Sequence, residues 1–223
     1  MKKNVNLFIN SLDKGGAERI TSILLQQMTE EYNVTLILLN NTISYDLPKN
    51  LKIVYLEKSN PSENGIIKFF KLPFLALKYK DYCKKNKTDI TLSFLYRANY
   101  ISILSKIFGL KSKVIISVRS TTSRYLKEGL PGMINLLLIK YLFNKADLIL
   151  SNSNGVENDL KSLMKITTKT QVIYNPIDKK YIDSLKDSSK DIKFEFKENV
   201  KYLISVGRII PLKRNKDLID AFL

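Results

Sequence analysis

The sequence predicts an α/β fold built on a doubly wound, mostly parallel sheet, and three observations predict it. Short apolar, β-branched runs alternate along the 223 residues with longer stretches of helical spacing. Those runs lack polar alternation, as strands covered on both faces do. A Gly15-Gly16 pair stands directly between the first apolar run and the first helical pattern, where a tight strand–helix turn needs backbone freedom.

Val5–Ile9 is the first strand, and Glu18–Thr29 has the spacing of the first helix. Val34–Leu39 and Lys52–Tyr55 read as the second and third strands. Ile66–Lys85 keeps helical spacing across Pro73, which must either kink one helix or begin a second. Ile90–Phe94, Val114–Val118, Leu148–Leu150 and Gln171–Tyr174 complete the strands. Tyr100–Phe108, Met133–Phe143 and Val156–Leu163 are the helices between or after them. Strands joined by helices imply right-handed crossovers and helices on both faces, which is a Rossmann-like layer. From Pro176 to Asn199 Lys, Asp and Ser take over, as in a linker. Tyr202–Val206 then reads as a strand and Asp217–Leu223 as an amphipathic helix. The expected organisation is residues 1–175 as one domain, 176–199 as a linker and 200–223 as the truncated start of a second. A lone βα unit cannot bury its own apolar face, so the sequence reads as the front half of a longer protein or a natural truncation of one.

Charge narrows the partners. Lys and Arg number 37 against 21 Asp and Glu, a net +16, which favours an anionic partner such as nucleic acid, an anionic membrane or a diphosphate. A plain Lys-rich surface fits the same number. The lysines are dispersed and no nucleic-acid motif is present, so no specific nucleic-acid partner is expected. There is no histidine, which removes Ser-His-Asp and Cys-His catalysis and the commonest zinc arrangements. The single cysteine, Cys83, excludes an intramolecular disulfide framework and reads as a helix-packing residue in a reducing compartment. No signal-peptide pattern opens the chain, and no run reaches the ~18 apolar residues of a membrane span. A cytoplasmic protein that touches membranes only from the surface is expected. The glycine turn lacks G-x-G-x-x-G spacing, which disfavours a nicotinamide-dependent enzyme.

The candidate residues follow from position. Gly15 and Gly16 open a helix whose N–H groups and dipole suit an anion, although a ligand-free turn needs the same residues. Glu18 and Arg19 are equally well read as a helix-dipole acid with its partner. Arg119 ends the fifth strand, at the edge where open α/β sheets bind ligands, and suits either a phosphate or an ion pair. Tyr96, Arg97 and Asn99 follow the fourth strand at the same edge. Lys68, Lys71 and Lys78 interleave with Phe69, Phe70, Phe74 and Tyr79. That pattern fits an interfacial membrane segment or a core-packing helix with a solvated face.

Four motifs in one order add a resemblance. Gly15-Gly16-Ala17-Glu18-Arg19, Ser151-Asn152-Ser153, Ile173-Tyr174-Asn175-Pro176-Ile177-Asp178, and Ser205-Val206-Gly207-Arg208 with Lys213 resemble the family 4 glycosyltransferases of the GT-B fold. The resemblance implies two Rossmann-like domains, this chain holding the acceptor-side one and the first βα unit of the donor-binding one. It implies that Arg208 and Lys213 neutralise the donor diphosphate, with Gly15 and Gly16 lining the opposite wall. Transfer is then retaining, with a UDP-sugar as donor, no other cofactor and no metal. The family's paired glutamates fall beyond Leu223, so no catalytic residue is named. The family usually has glycine after Lys213, where this chain has Arg214, and a histidine near Arg119 that this chain lacks.

A narrower resemblance lies in Ile43-Ser44-Tyr45-Asp46-Leu47-Pro48, Pro61-Ser62-Glu63-Asn64 and Lys71–Lys80. These segments look like the N-acetylgalactosaminyltransferases of bacterial N-glycosylation. The implied donor is UDP-GalNAc and the implied acceptor an undecaprenyl-diphosphate-linked glycan at the inner face of the cytoplasmic membrane. Arg97, Asn99, Arg119, Lys68, Lys71 and Lys78 become the acceptor or phosphate contacts. A separately encoded C-terminal domain is an expected partner, and residues 1–223 alone are expected to be inactive. The alternative is a non-catalytic module that binds acceptor or membrane.

Overall fold

The computed structural model describes residues 1–57, 63–177, 179–186, 194–207, 209 and 213–222. They fall into two units, Met1–Asp178 and Lys179–Leu223. The first unit opens with β1 (Asn4–Ile9), α1 (Gly16–Glu31), β2 (Asn33–Leu38) and β3 (Lys52–Tyr55). It continues with α2 (Gly65–Phe70), α3 (Leu72–Lys85), β4 (Ile90–Phe94), α4 (Tyr96–Ile107) and β5 (Lys113–Val118). A 3-10 turn at Ser123–Lys127, α5 (Gly129–Leu142), a second 3-10 turn at Phe143–Lys145, β6 (Leu148–Ser151), α6 (Asn154–Leu163) and β7 (Thr170–Val172) complete it.

All seven strands pair in parallel, in the order β3-β2-β1-β4-β5-β6-β7. The strand order reverses between β1 and β4, and that switch point opens a crevice at the carboxyl ends of the strands. Both faces of the sheet are buried. Leu7, Ile9, Leu36 and Leu38 enter one core with Ala17 and Leu25 of α1. Their neighbours Phe8, Ile37 and Leu39 enter the other with Leu75, Tyr79 and Ile101 from α3 and α4. Alternation with both sets apolar leaves no polar face, which is why the runs read as continuous. Cys83 packs inside α3 at 1% exposure, as expected, and burial pushes its thiol up to about 11.

Of the two alternatives at Pro73 the structure takes the second: α2 ends at Phe70, and Pro73 lies in the first turn of α3, where its missing N–H would have no partner in any case. Other elements differ from the sequence expectation. α4 starts four residues before the predicted Tyr100, so Tyr96, Arg97 and Asn99 sit in its first turns and not in a loop. α5 likewise begins at Gly129, ahead of Met133.

The second unit departs further. Residues Lys179–Lys186, inside the predicted linker, form helix α7, and Asn215–Phe222 form α8. The predicted strand Tyr202–Val206 is not formed. A parallel strand needs a neighbour to satisfy its ladder, and no described strand of this unit offers one. Phe194, Phe196 and Tyr202 instead pack edge to face, with centroids 4.9 to 5.7 Å apart. Arg214 adopts φ +52°, the left-handed conformation that glycine adopts most easily.

Candidate functional site

A groove of about 780 Å³ lies over the carboxyl ends of β1, β4 and β5, bordered by α2 and α5. Its outer part is apolar, with Phe69 and Phe70 from α2 and Leu130, Ile134 and Leu138 from α5. Asn10, Arg97, Ser117, Arg119, Ser120 and Arg124 line it too, all of them at or just beyond strand ends or in the 3-10 turn. A second depression of about 680 Å³ lies at the amino ends of the strands. Its amides are largely spent on each other: Asn33 donates to Asn4, Asn4 to the Lys87 carbonyl, and Lys52 to Asn86.

The β4–α4 junction aims the groove's cations. Leu95, the residue before α4, sits at φ 69°, ψ 151°, a backbone region that side-chain-bearing residues avoid at a cost of about 1–3 kcal/mol. Its carbonyl accepts the Asn99 N–H at 3.0 Å, so the strand turns into the helix without a loop and Arg97 enters the groove. Asn99 faces the other way. It is 1% exposed and donates to the Ser117 carbonyl at 3.0 Å, tying α4 to β5. It is not among the residues that line the groove, and its Oδ1 is buried without a partner among the described residues.

The far wall is aromatic. Tyr96 packs edge to face on Tyr125 at 5.0 Å and stacks on Phe143 at 6.1 Å. Burial raises the Tyr96, Tyr100 and Tyr125 hydroxyls, so all three stay neutral hydrogen-bonding groups. Asp159 of α6 accepts from the Thr122 and Ser123 N–H groups and holds the turn that carries Tyr125. Burial pushes the Asp159 carboxyl up, but the bonds from Ser123 and Thr122 outweigh it and hold the group below its usual range.

Cations and carboxylates meet at the α2 side. Glu57 accepts from Arg97 at 2.9 Å and pairs with Lys71 at 2.9 Å, and Lys71 also pairs with Glu63. The hydrogen bond to Glu63 raises Lys71, and the same bond lowers Glu63. Lys78 donates to the Leu56 carbonyl at 2.5 Å. Lys71 and Lys78 are therefore engaged by the protein, and Lys68 is among the residues that line the groove. Arg97 Nε and Asn10 Oδ1 are buried at the groove without a partner among the described residues. Arg119 donates to Asn175 Oδ1 at 2.6 Å and lies over the Phe94 ring. Burial lowers Arg119, and the Glu18 carboxylate opposes that shift.

The glycine loop stands beside this groove. Gly15 caps α1, and a Cβ there would collide with the Glu18 carboxylate, which folds back over the turn; a Cβ on Gly16 would meet open space. Tyr45 donates to the Gly15 carbonyl at 3.1 Å and lies under the Arg19 guanidinium. Lys213 is exposed in the second unit, and Arg208 lies outside the described residues. So do Pro61, Ser62 and Asp178 of the quoted motifs. Reading the sequence missed Asn10, Arg124 and Tyr125. Asn10 directly follows β1, and the strand-end rule that selected Arg119 would have found it. The 3-10 turn has no periodic signal.

Comparison with known proteins follows this geometry. The model of Glycosyltransferase Family 4 matches residues 14–181. A Campylobacter jejuni protein is 40% identical over 222 residues, covering 99% of this chain. It is an N-acetylgalactosamine-N,N'-diacetylbacillosaminyl-diphospho-undecaprenol 4-alpha-N-acetylgalactosaminyltransferase, and the chain spans 59% of its length. Among solved structures, sucrose-phosphate synthase from Thermosynechococcus elongatus superposes with a TM-score of 0.62 at 13% identity, over 78% of this chain and 48% of that one. Anabaena HepE in complex with UDP and glucose gives 0.54 at 14% identity, over 83% and 50%. These likenesses show the GT-B fold.

Proposed function

The chain belongs to glycosyltransferase family 4, and from that premise we propose that it is the acceptor-binding part of a transferase for a polyprenyl-diphosphate-linked glycan. The observation that carries the reading is the groove, apolar where α2 and α5 border it and lined with Arg97 and Arg119 at the strand ends. An amphiphile with a diphosphate between lipid and sugar matches that division. The 40% identity to a transferase that acts on a diphospho-undecaprenol glycan supports the same acceptor class.

The donor is UDP-GalNAc, and no other cofactor or metal takes part. Transfer retains configuration. The bond from the sugar's C1 to the diphosphate breaks, a bond from C1 to the acceptor hydroxyl forms on the same face, and the hydroxyl proton passes to the departing diphosphate. Lys213 and Arg208 offset the charge that develops there. The enzyme works peripherally on the inner face of the cytoplasmic membrane. No described helix is long and apolar enough to cross one. Residues 1–223 alone do not turn over and require a second domain.

Transfer of labelled GalNAc to undecaprenyl-diphosphate-linked GalNAc-diNAc-bacillosamine tests this. The samples are 1–223 alone and 1–223 fused to the remaining part of the Campylobacter relative. Product from the fusion only is expected. No product from a folded fusion contradicts the acceptor assignment, and product from 1–223 alone contradicts the need for a second domain.

A further inference from the structure

Arg97 lines the groove, yet its bond to the protein is only half of what a guanidinium can make with a carboxylate. Its Nη2 donates to Glu57 Oε2 at 2.9 Å, while its Nε is buried without a partner among the described residues. Arginine and carboxylate commonly close as a fork, two parallel N–H···O bonds that use both oxygens. Here the second oxygen is taken: Glu57 Oε1 stands 2.9 Å from Lys71 Nζ. Lys71 is in turn held by Glu63, just before α2. The carboxylate is thus fully used, and the guanidinium still has N–H to give.

Glu57 is itself fixed through the backbone. It follows Leu56, whose N–H donates to the Leu38 carbonyl at 2.8 Å and whose carbonyl accepts from Lys78 of α3 at 2.5 Å. The Glu57 and Arg97 side chains are each 14% exposed, so solvent does little to loosen the pair. A buried N–H without an acceptor is costly, and an oxygen entering the groove removes that cost. From these observations we infer that Glu57 is a positioning residue: it holds the Arg97 guanidinium by one nitrogen, and because Lys71 occupies its other oxygen, it leaves the Arg97 Nε–H for a ligand oxygen. This rests on the acceptor reading above and deepens it, the ligand oxygen being one of the diphosphate. Nothing about charge alone favours a carboxylate beside an anion, since the two repel. Its benefit is that the arginine is already ordered when the ligand arrives.

Two measurements on the full chain test this. The first uses no ligand: proton–nitrogen correlation spectra of the arginine Nε–H groups, with Arg97 identified by the signal that Arg97→Ala removes. Glu57→Gln is expected to speed exchange of the Arg97 Nε–H with water. Lys71→Ala is expected to shift that signal downfield, as the freed Oε1 completes the fork; this variant keeps the test open if Glu57→Gln fails to fold. Glu157→Gln, which breaks the pair with Lys161 on α6, should leave the signal alone. An Arg97 signal indifferent to Glu57→Gln or to Lys71→Ala overturns the inference. The second measurement is equilibrium binding of undecaprenyl-diphosphate-linked glycan in nanodiscs. Glu57→Gln and Lys71→Ala are each expected to weaken it about fivefold, and neither to weaken it further once Arg97 is replaced by Ala. A merely structural role would persist in that background. Binding by Glu57→Gln as tight as the wild type's, or tighter, as loss of a repelling charge would make it, overturns the inference, as does an equal loss in the Arg97→Ala background. If Arg97→Ala binds like the wild type, the acceptor reading fails instead, and the ligand-free spectra still decide whether Glu57 positions Arg97.

Discussion

Leu95 turns β4 into α4 at the groove's inner end, and Glu63 anchors Lys71 beside α2; each can be tested by a substitution. Leu95 holds a backbone conformation suited to glycine. Leu95→Gly relieves that strain, whereas Leu95→Ala loses the same side-chain packing and keeps the strain. Thermal unfolding is expected to place Leu95→Gly above Leu95→Ala, by about 1 kcal/mol; the reverse order contradicts the strain. Glu63 is lowered from its ordinary 4.5 by its bond to Lys71. Its stabilisation is present above 4.5 and is lost as pH falls through the lowered folded value. Lys71 is raised from 10.5, so its share is full below 10.5 and lost only above the raised value. The gap in Tm between the wild type and Glu63→Gln is therefore expected at pH 7 and should close in acid below 4.5. The sequence made Arg97 and Arg119 legible through the strand-end rule. It did not reveal that Glu57 engages both Arg97 and Lys71, because that carboxylate is 40 residues from Arg97 and nothing local links them.

Elements were legible where hydrophobic period alone decides, and less so where capping does. The central strands β1 and β2 stand out because both of their faces are largely apolar and buried, whereas the edge strands β3 and β7 are short and partly exposed. The starts of α4 and α5 were placed late because Leu95 and Glu128, the residues before them, make no side-chain cap, so no residue type announces the turn. The contact between α5 and the 3-10 turn depends on Gly132, where a Cβ would collide with the Tyr125 carbonyl oxygen. Backbone cannot yield as a flexible side chain does. Gly132→Ala is expected to lower Tm and to speed amide exchange across 122–128, while Gly16→Ala, which meets open space, leaves that segment protected. Unchanged exchange in Gly132→Ala contradicts the assignment of this contact as the groove's outer support.

At the scale of the whole molecule, the mostly parallel, doubly wound sheet was readable from alternating strands and helices, while the strand order that puts its switch point between β1 and β4 is set by tertiary pairing. The second unit was not readable, since a strand pattern such as Tyr202–Val206 becomes a strand only beside a partner. The account's central claim is that the groove over β1, β4 and β5 holds a lipid-linked diphosphate through Arg97 and Arg119. Each is expected to contribute a charge-assisted bond of about 1.5–3 kcal/mol, and 1.4 kcal/mol is about tenfold in Kd. The direct measurement is equilibrium binding of undecaprenyl-diphosphate-linked glycan in nanodiscs to the wild type, Arg97→Ala, Arg119→Ala and, as a control at the opposite edge, Lys52→Ala. The account predicts that both arginine variants weaken binding by about tenfold or more and that Lys52→Ala does not. Binding that is indifferent to both arginines, or that falls equally in all three variants, contradicts it.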